Sequence, residues 1–170
     1  QTIFARALGS VAAPTASLHF TQRLLTQLRR QGIEIHYVTL HVGLGTFAPV
    51  TPEQVQAGTL HEEYFEIPPA TLTAIRKAQK EGRAIIPVGT TALRTLESLP
   101  QKKGVTNIFI QPGYRFKVAT GLITNFHVPQ SSLTMLVSAL SSFPECFTIG
   151  LYPMSGSSFP GSQPISPTPQ

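Results

Sequence analysis

The stretch AIIPVGTTALRTLES, residues 84–98, decides the fold class that the sequence predicts. It opens with a continuous apolar run, which is typical of a strand buried on both faces. After Gly89, the segment TALRTLES, residues 91–98, has the pattern of a helix. A buried strand that leads directly into a helix is the unit from which α/β folds are built.

Helical and strand patterns alternate on both sides of this stretch. Helices are predicted at TQRLLTQLRRQG (21–32), from Pro52 onward, at PATLTAIRKAQKEG (69–82) and at SSLTMLVSAL (131–140). Strands are predicted at IEIHYVTL (33–40), EEYFEI (62–67), NIFI (107–110), RFKV (115–118) and LITNF (122–126). The alternation predicts an α/β fold whose mainly parallel or mixed sheet is flanked by helices.

The last part of the chain has a different composition. Residues 143–170 hold a single charged residue, Glu145, and six prolines among serines and glycines. Because such a composition builds a core with difficulty, we expect residues 1–142 to form the α/β unit. Residues 143–170 are expected to be a poorly ordered tail.

Composition excludes several classes of site. The chain has 13 Lys and Arg against 8 Asp and Glu, a net charge of +5, and it contains no aspartate. This balance leaves nucleic-acid binding open without requiring it. A single cysteine, Cys146, excludes an internal disulfide framework and a cysteine-cluster zinc site. No metal site and no membrane span are expected, and the expected compartment is the reducing cytoplasm.

A glycine-rich loop occupies TLHVGLGTFAPV, residues 39–50, where Gly43, Gly45 and Ala48 match G-x-G-x-x-A. A dinucleotide loop leads directly into a helix whose N–H groups face phosphate, but here no helix can begin before Pro52. The pattern therefore favours a loop with tight turns beside His41. It leaves open the approach of a small ligand to the bare backbone.

A second candidate for anion binding is the start of the helix in the opening stretch. Thr90 and Thr91 follow the buried run, where open sheets bind ligands, and Arg94 is expected in the first turn of the helix. A bound carboxylate or phosphate would offset the unfavourable position of that cation. The alternative is that Thr90 or Thr91 only caps the helix, while Arg94 pairs with Glu97.

Histidines and one aromatic–basic segment complete the candidates. His19, His41, His61 and His127 lie at the ends of predicted elements, whereas His36 lies inside a strand. Their spacing matches no zinc motif, so acid–base chemistry is the functional alternative to ordinary hydrogen-bonded histidines. In PGYRFKV, residues 112–118, Tyr114 and Arg115 follow a turn and could either contact nucleic acid or lie on an exposed hairpin.

Long blocks of the sequence resemble one family. They are GSVAAPTASLHFT (9–21), VTLHVGLGTFAPV (38–50), VGTTALRTLES (88–98), IFIQPGYRFKV (108–118) and GLITNFHVPQSSLTMLVSA (121–139). Together they are similar to the S-adenosylmethionine:tRNA ribosyltransferase-isomerases of queuosine biosynthesis. The chain also carries the family's H-x-E element as His61 and Glu63, but has Gly58 where the family has histidine. The resemblance implies the C-terminal α/β portion of such an enzyme, without the family's β-barrel domain.

The resemblance also implies a reaction. Family members transfer the ribosyl group of S-adenosylmethionine to a 7-aminomethyl-7-deazaguanine in the tRNA anticodon and rearrange it, which gives epoxyqueuosine and releases adenine and methionine. S-adenosylmethionine is a co-substrate, no cofactor is needed, and the full-length enzyme is expected to be a monomer. The alternatives are an inactive tRNA-binding fragment and an S-adenosylmethionine-dependent methyltransferase.

Site roles follow from the same resemblance. The expected acid–base residues are His19, His127 and His41. The expected substrate-binding residues are Gly43 and Gly45 in the S-adenosylmethionine pocket, Thr90, Thr91 and Arg94 at its carboxylate or a tRNA phosphate, Tyr114 and Arg115 at the anticodon arm, and Asn125.

Overall fold

The computed structural model describes residues 2–5, 8–43, 45, 49–125 and 132–140. Within them, a 3₁₀ helix at Thr15–His19 precedes an alternating series of elements. The helices are α1 (Gln22–Arg30), α2 (Pro52–Ala57), α3 (Pro69–Lys80), α4 (Thr90–Glu97) and α5 (Ser132–Ala139). The strands are β1 (Thr39–His41), β2 (Thr59–Glu66) and β3 (Lys103–Ile108). The predicted α/β class and the predicted helices are confirmed.

The helix ends follow from local chemistry. The Thr21 hydroxyl accepts a hydrogen bond from the Leu24 N–H and so caps α1. At α2, Thr51 and Gln54 form a reciprocal capping box, in which each side chain bonds the backbone N–H of the other. Pro69 begins α3, which is a position that suits its fixed φ and missing N–H. These helices are therefore specified by their own sequences.

The sheet is the main correction to the predicted fold. Its order is β1-β2-β3, and both pairings are antiparallel, so the expectation of a mainly parallel sheet is wrong. The apolar run expected to be a central strand makes only an isolated parallel bridge, from Val88 to Ile123. Pro87 removes a donor from this run and Ile86 is 49% exposed, so the run is not buried on both faces.

Other predicted strands are shorter or missing. Residues 33–38 form no regular secondary structure, and of the predicted strand Thr39–His41 pairs with β2. Residues 115–118 form no strand, and the segment from 122 to 125 contributes only the bridge at Ile123. Alternation of apolar residues predicts an extended chain, but a ladder also needs a partner edge that local sequence does not specify.

Helix α4 lies at the centre of the described core. Leu93 packs with Ile110, Leu122 and residues of α5 in one apolar cluster. One turn later, Leu96 joins a second cluster with Phe65 of β2 and residues of α3. The helix also packs against β1 and β3. Polar side chains on α4 are consequently held within the core, where their partners are fixed by packing.

Two further expectations concern membrane spans and the C-terminal tail. No helix in the described ranges has the length and apolar character needed to cross a membrane. The expected tail at residues 143–170 lies outside the described residues, and the boundary at residue 142 stays a prediction.

Candidate functional site

His19 and Asn125 meet although they lie 106 positions apart in the chain. His19 ends the 3₁₀ helix, and its Nε2 lies 3.0 Å from the Asn125 carboxamide Oδ1. Because a carboxamide oxygen only accepts, this contact is a hydrogen bond in the tautomer that carries its proton on Nε2, and in that tautomer Nδ1 is a proton acceptor. The His19 side chain is exposed, so a substrate can reach it. Two residues expected in the site are thus brought together.

His41 is held at the end of β1 by packing. It pairs with Tyr64 across the ladder, and the centroids of the two rings are 5.8 Å apart. On its other side the ring lies so close to Gly9 that a Cβ on Gly9 would come within 3.0 Å of Nδ1. Neither contact involves His19.

Arg94 lies in the last turn of α4, not in the first turn as expected. A cation near a helix C-terminus is favoured by the macrodipole, so no anion is needed to compensate it. The guanidinium Nη1 donates to Glu63 in a buried ion pair, and Nε donates to the Ile108 carbonyl at 3.3 Å. The alternative pairing with Glu97 is wrong. Nη2 is buried and has no hydrogen-bond partner among the described residues.

A small pocket opens beside Arg94. Its enclosed space is about 10 Å³, the lower limit for one water molecule. It is lined by Gly45, Val50, Gln54, Leu60, His61, Arg94 and Ser132. The pocket brings together Gly45 and Arg94 from the expected site, and it adds His61, which the assigned roles omitted. The H-x-E element already contained His61, and its other member, Glu63, binds Arg94. This element is therefore the sequence signal that could have identified His61.

The backbone of β2 explains how His61 reaches the pocket. Pairing with β3 shifts register between Thr59 and Glu63, so β2 carries extra residues opposite the segment between Thr106 and Ile108. Such bulges bend a strand and redirect its side chains. The His61 ring lies against Gly45, where an added Cβ would come within 2.5 Å of it. At Gly43, by contrast, an added Cβ would meet no atom of the described residues within 4 Å.

Thr90 and Thr91 begin α4, but neither caps it. The N-cap is Gly89, with φ 93°, and no side chain caps this end, so the alternative of a threonine cap is wrong. The Gly89 N–H is used by the Ile123 carbonyl at 2.8 Å. Thr90 is buried, and neither threonine lines the Arg94 pocket. The grouping of both threonines with Arg94 therefore does not appear in the described pocket.

Tyr114 and Arg115 have different surroundings. The Tyr114 hydroxyl donates to Glu97 Oε2 at 3.2 Å, and its ring packs edge-on against Phe116 at 5.2 Å. Burial, together with the nearby Glu97 carboxylate, raises the pKa of Tyr114 to about 12. Arg115 is exposed. The Tyr114 hydroxyl is therefore committed inside the protein, while Arg115 is open to a partner.

The two remaining expectations concern His127 and metal binding. His127 lies outside the described residues. In the parts that the structure describes, no three His, Cys, Asp or Glu side chains gather as a metal site requires.

Comparison with known proteins identifies relatives. The family model described as queuosine biosynthesis protein matches residues 1–149. The S-adenosylmethionine:tRNA ribosyltransferase-isomerase of Halothermothrix orenii is 54% identical over 148 residues, covering 83% of this chain and 43% of that protein. The enzyme of the same name from Treponema denticola is 53% identical, covering 86% and 45% respectively. That of Legionella pneumophila strain Lens is 50% identical, covering 88% and 46%. The chain spans less than half the length of these relatives.

Proposed function

This chain belongs to the queuosine biosynthesis protein family, and we propose from that premise that it forms the α/β part of an S-adenosylmethionine:tRNA ribosyltransferase-isomerase. The proposed reaction transfers the ribosyl group of S-adenosylmethionine to the aminomethyl group of a 7-deazaguanine in tRNA. The sugar rearranges, adenine and methionine leave, and the product is epoxyqueuosine in the tRNA.

The observation that supports this proposal best is the contact between His19 and Asn125. The reaction requires loss of a proton beside the sulfonium, protonation or stabilisation of departing adenine, and a neutral attacking amine. Histidine can serve such steps near neutral pH. The Asn125 oxygen orients the His19 ring, with Nε2 as donor and Nδ1 as the basic nitrogen. We assign His19 to proton transfer, with His127 and His41 as the further candidates.

Binding roles are assigned by the same family membership. Gly43 and Gly45 line the S-adenosylmethionine pocket. The residues proposed to hold its carboxylate or a tRNA phosphate are Thr90 and Thr91, at the uncapped start of α4, and Arg94, in a pocket that neither threonine lines. Tyr114 and Arg115 contact the anticodon arm, for which the exposed guanidinium of Arg115 is suited. A cytoplasmic location and a monomeric full-length enzyme complete the proposal.

The proposal is tested by product analysis with tRNA that carries 7-aminomethyl-7-deazaguanine. The chain is incubated with this tRNA and S-adenosylmethionine, and adenine, S-adenosylhomocysteine and epoxyqueuosine are measured. Adenine release matched by epoxyqueuosine supports the proposal. Accumulation of S-adenosylhomocysteine would instead identify a methyltransferase. Salt-sensitive tRNA binding without any turnover would identify an inactive binding fragment.

A matched pair of variants tests the role of His19. His19→Gln is expected to lower adenine release about 100-fold or more, because general acid–base catalysis typically contributes that much. His36→Gln is the control, since His36 is exposed and bonds Glu34 at the surface, at 3.2 Å. Equal rates for the two variants would remove His19 from the mechanism.

A further inference from the structure

The unpaired Nη2 of Arg94 is the starting point. The residue is 4% exposed, and its Nη2 has no hydrogen-bond partner in the described part of the chain. An unmet donor on a buried charged group is costly, so native proteins rarely retain one without a reason. The pocket beside Arg94 provides that reason if it receives an acceptor atom.

The direction of this donor is fixed. A guanidinium is planar, and two of its three nitrogens are engaged here, Nη1 by Glu63 and Nε by Ile108. Together these two bonds fix the plane of the guanidinium and therefore the position of Nη2. Arg94 lines the pocket, and Nη2 is its one guanidinium nitrogen without a partner in the described part of the chain.

The other polar walls of the pocket also offer donors. Gln54 uses Oε1 to accept from the Thr51 N–H at 3.0 Å, so its Nε2 is the group left to face a ligand. Helix α5 begins at Ser132, which also lines the pocket, and the first N–H groups of a helix have no partner within the helix. His61 can donate from either ring nitrogen when it is protonated. A site made of donors selects an acceptor, and most strongly an anionic oxygen.

Size and charge narrow the choice of anion. The enclosed space admits one oxygen atom. A flat carboxylate can insert one oxygen, whereas a tetrahedral phosphodiester brings two ester groups to the narrow opening. Glu63 already balances the charge of Arg94, so the further attraction for an anion comes from the other hydrogen-bond donors that line the pocket.

We propose that the pocket of Gly45, Gln54, His61, Arg94 and Ser132 binds the carboxylate of the amino-acid part of S-adenosylmethionine. This inference rests on the proposed function and deepens it, because it separates Arg94 from Thr90 and Thr91 and adds His61 and Gln54. Gly45 contributes by its small size, because the absence of a Cβ leaves room for the His61 ring beside the pocket.

The test compares S-adenosylmethionine with decarboxylated S-adenosylmethionine, which keeps the sulfonium and the amine. Calorimetric titration of the chain is expected to show at least about tenfold tighter binding of the carboxylated compound, since charge-assisted hydrogen bonds are roughly twice as strong as neutral ones. His61→Ala is expected to reduce this preference to about twofold by removing a hydrogen-bond donor from the pocket. His36→Ala, the matched surface control, is expected to retain it.

A double-mutant cycle isolates the role of Gly45. Gly45→Ala is expected to lower the preference as His61→Ala does, because the new methyl group displaces the ring. The double variant is expected to be no worse than His61→Ala alone, since the clash disappears with the ring. Additive losses would show that Gly45 acts independently of His61 and would overturn this part of the inference.

The outcomes separate this inference from the proposed function. Equal affinities for the two compounds, or no binding of either one, overturn the carboxylate site. A carboxylate preference without adenine release keeps the site and rejects the proposed reaction for this chain. Adenine release with equal affinities keeps the reaction and rejects the site.

Discussion

Two buried glutamates, Glu97 and Glu63, show how the same residue type serves different ends in this molecule. Each is 2% exposed. Glu97 accepts three backbone N–H groups from residues 117–119, at 2.8–3.0 Å, and the Tyr114 hydroxyl. Glu63 pairs instead with Arg94, which keeps a donor without a described partner. The first carboxylate is saturated by the fold, whereas the second positions a group that can still bind something.

The largest effect is expected from breaking the ion pair on one side. Arg94→Met leaves the Glu63 charge buried without its cation, which costs about 3–5 kcal/mol of unfolding free energy. The double variant Arg94→Met, Glu63→Met is expected to recover most of that loss, because buried pairs are often replaceable by apolar side chains. Urea unfolding followed by circular dichroism measures both. A double variant as unstable as Arg94→Met would show that the pair itself holds the fold together.

A somewhat smaller effect is expected at the other carboxylate. Glu97→Gln keeps the shape but faces the Lys117 N–H with an amide nitrogen that cannot accept, which costs about 3 kcal/mol or less. Glu62→Gln is the control, since Glu62 is exposed on β2. The comparison of the two glutamates holds if Glu97→Gln lowers stability and leaves the carboxylate preference of the folded chain intact. It fails if the two variants unfold at the same urea concentration.

The smallest effect is a pH dependence from Tyr114. Its pKa is raised to about 12 by burial and by Glu97, whereas the ordinary value of tyrosine is 10.0. Between these values the folded chain holds a proton that the unfolded chain has lost, so this contribution is complete below pH 10 and disappears as the pH approaches 12. Because the side chain is only half-buried, solvent screening limits the loss to about 1 kcal/mol.

The matched variant for this pH dependence is Tyr114→Phe. Unfolding free energies measured from pH 9 to about pH 12 should fall more steeply for the native chain than for the variant. Identical slopes would mean that Tyr114 titrates alike in both states. That result would remove the Tyr114 hydroxyl from the group of contacts that saturate Glu97.

The helices could be predicted because their signals are local. Thr21, Thr51 and Pro69 each mark a helix start within one turn, and the structure uses all three. The strands were harder to predict. Ile86 and Tyr37 lie in segments with the apolar pattern of a strand, but their side chains are 49% and 40% exposed, so the pattern does not reflect burial in a sheet. Whether an extended segment acquires a ladder depends on distant partners.

In the candidate site, too, some residues could be predicted from the sequence and others could not. The contact between His19 and Asn125 joins two residues that the family resemblance had already singled out. The pairing of Arg94 with Glu63 spans 31 positions, and no local rule selects that partner over Glu97, which lies one turn away on the same helix. The register shift in β2 is likewise invisible in a single sequence, although it places His61. Both depend on tertiary packing around α4.

A crystal structure of the chain with bound S-adenosylmethionine tests the central claim most directly. If the pocket binds this carboxylate, one of its oxygens will lie about 3 Å from Arg94 Nη2, with the His61 ring beside it and the bond between Arg94 and Glu63 intact. A water molecule at Nη2, with the ligand carboxylate bound elsewhere, would rule out the carboxylate site.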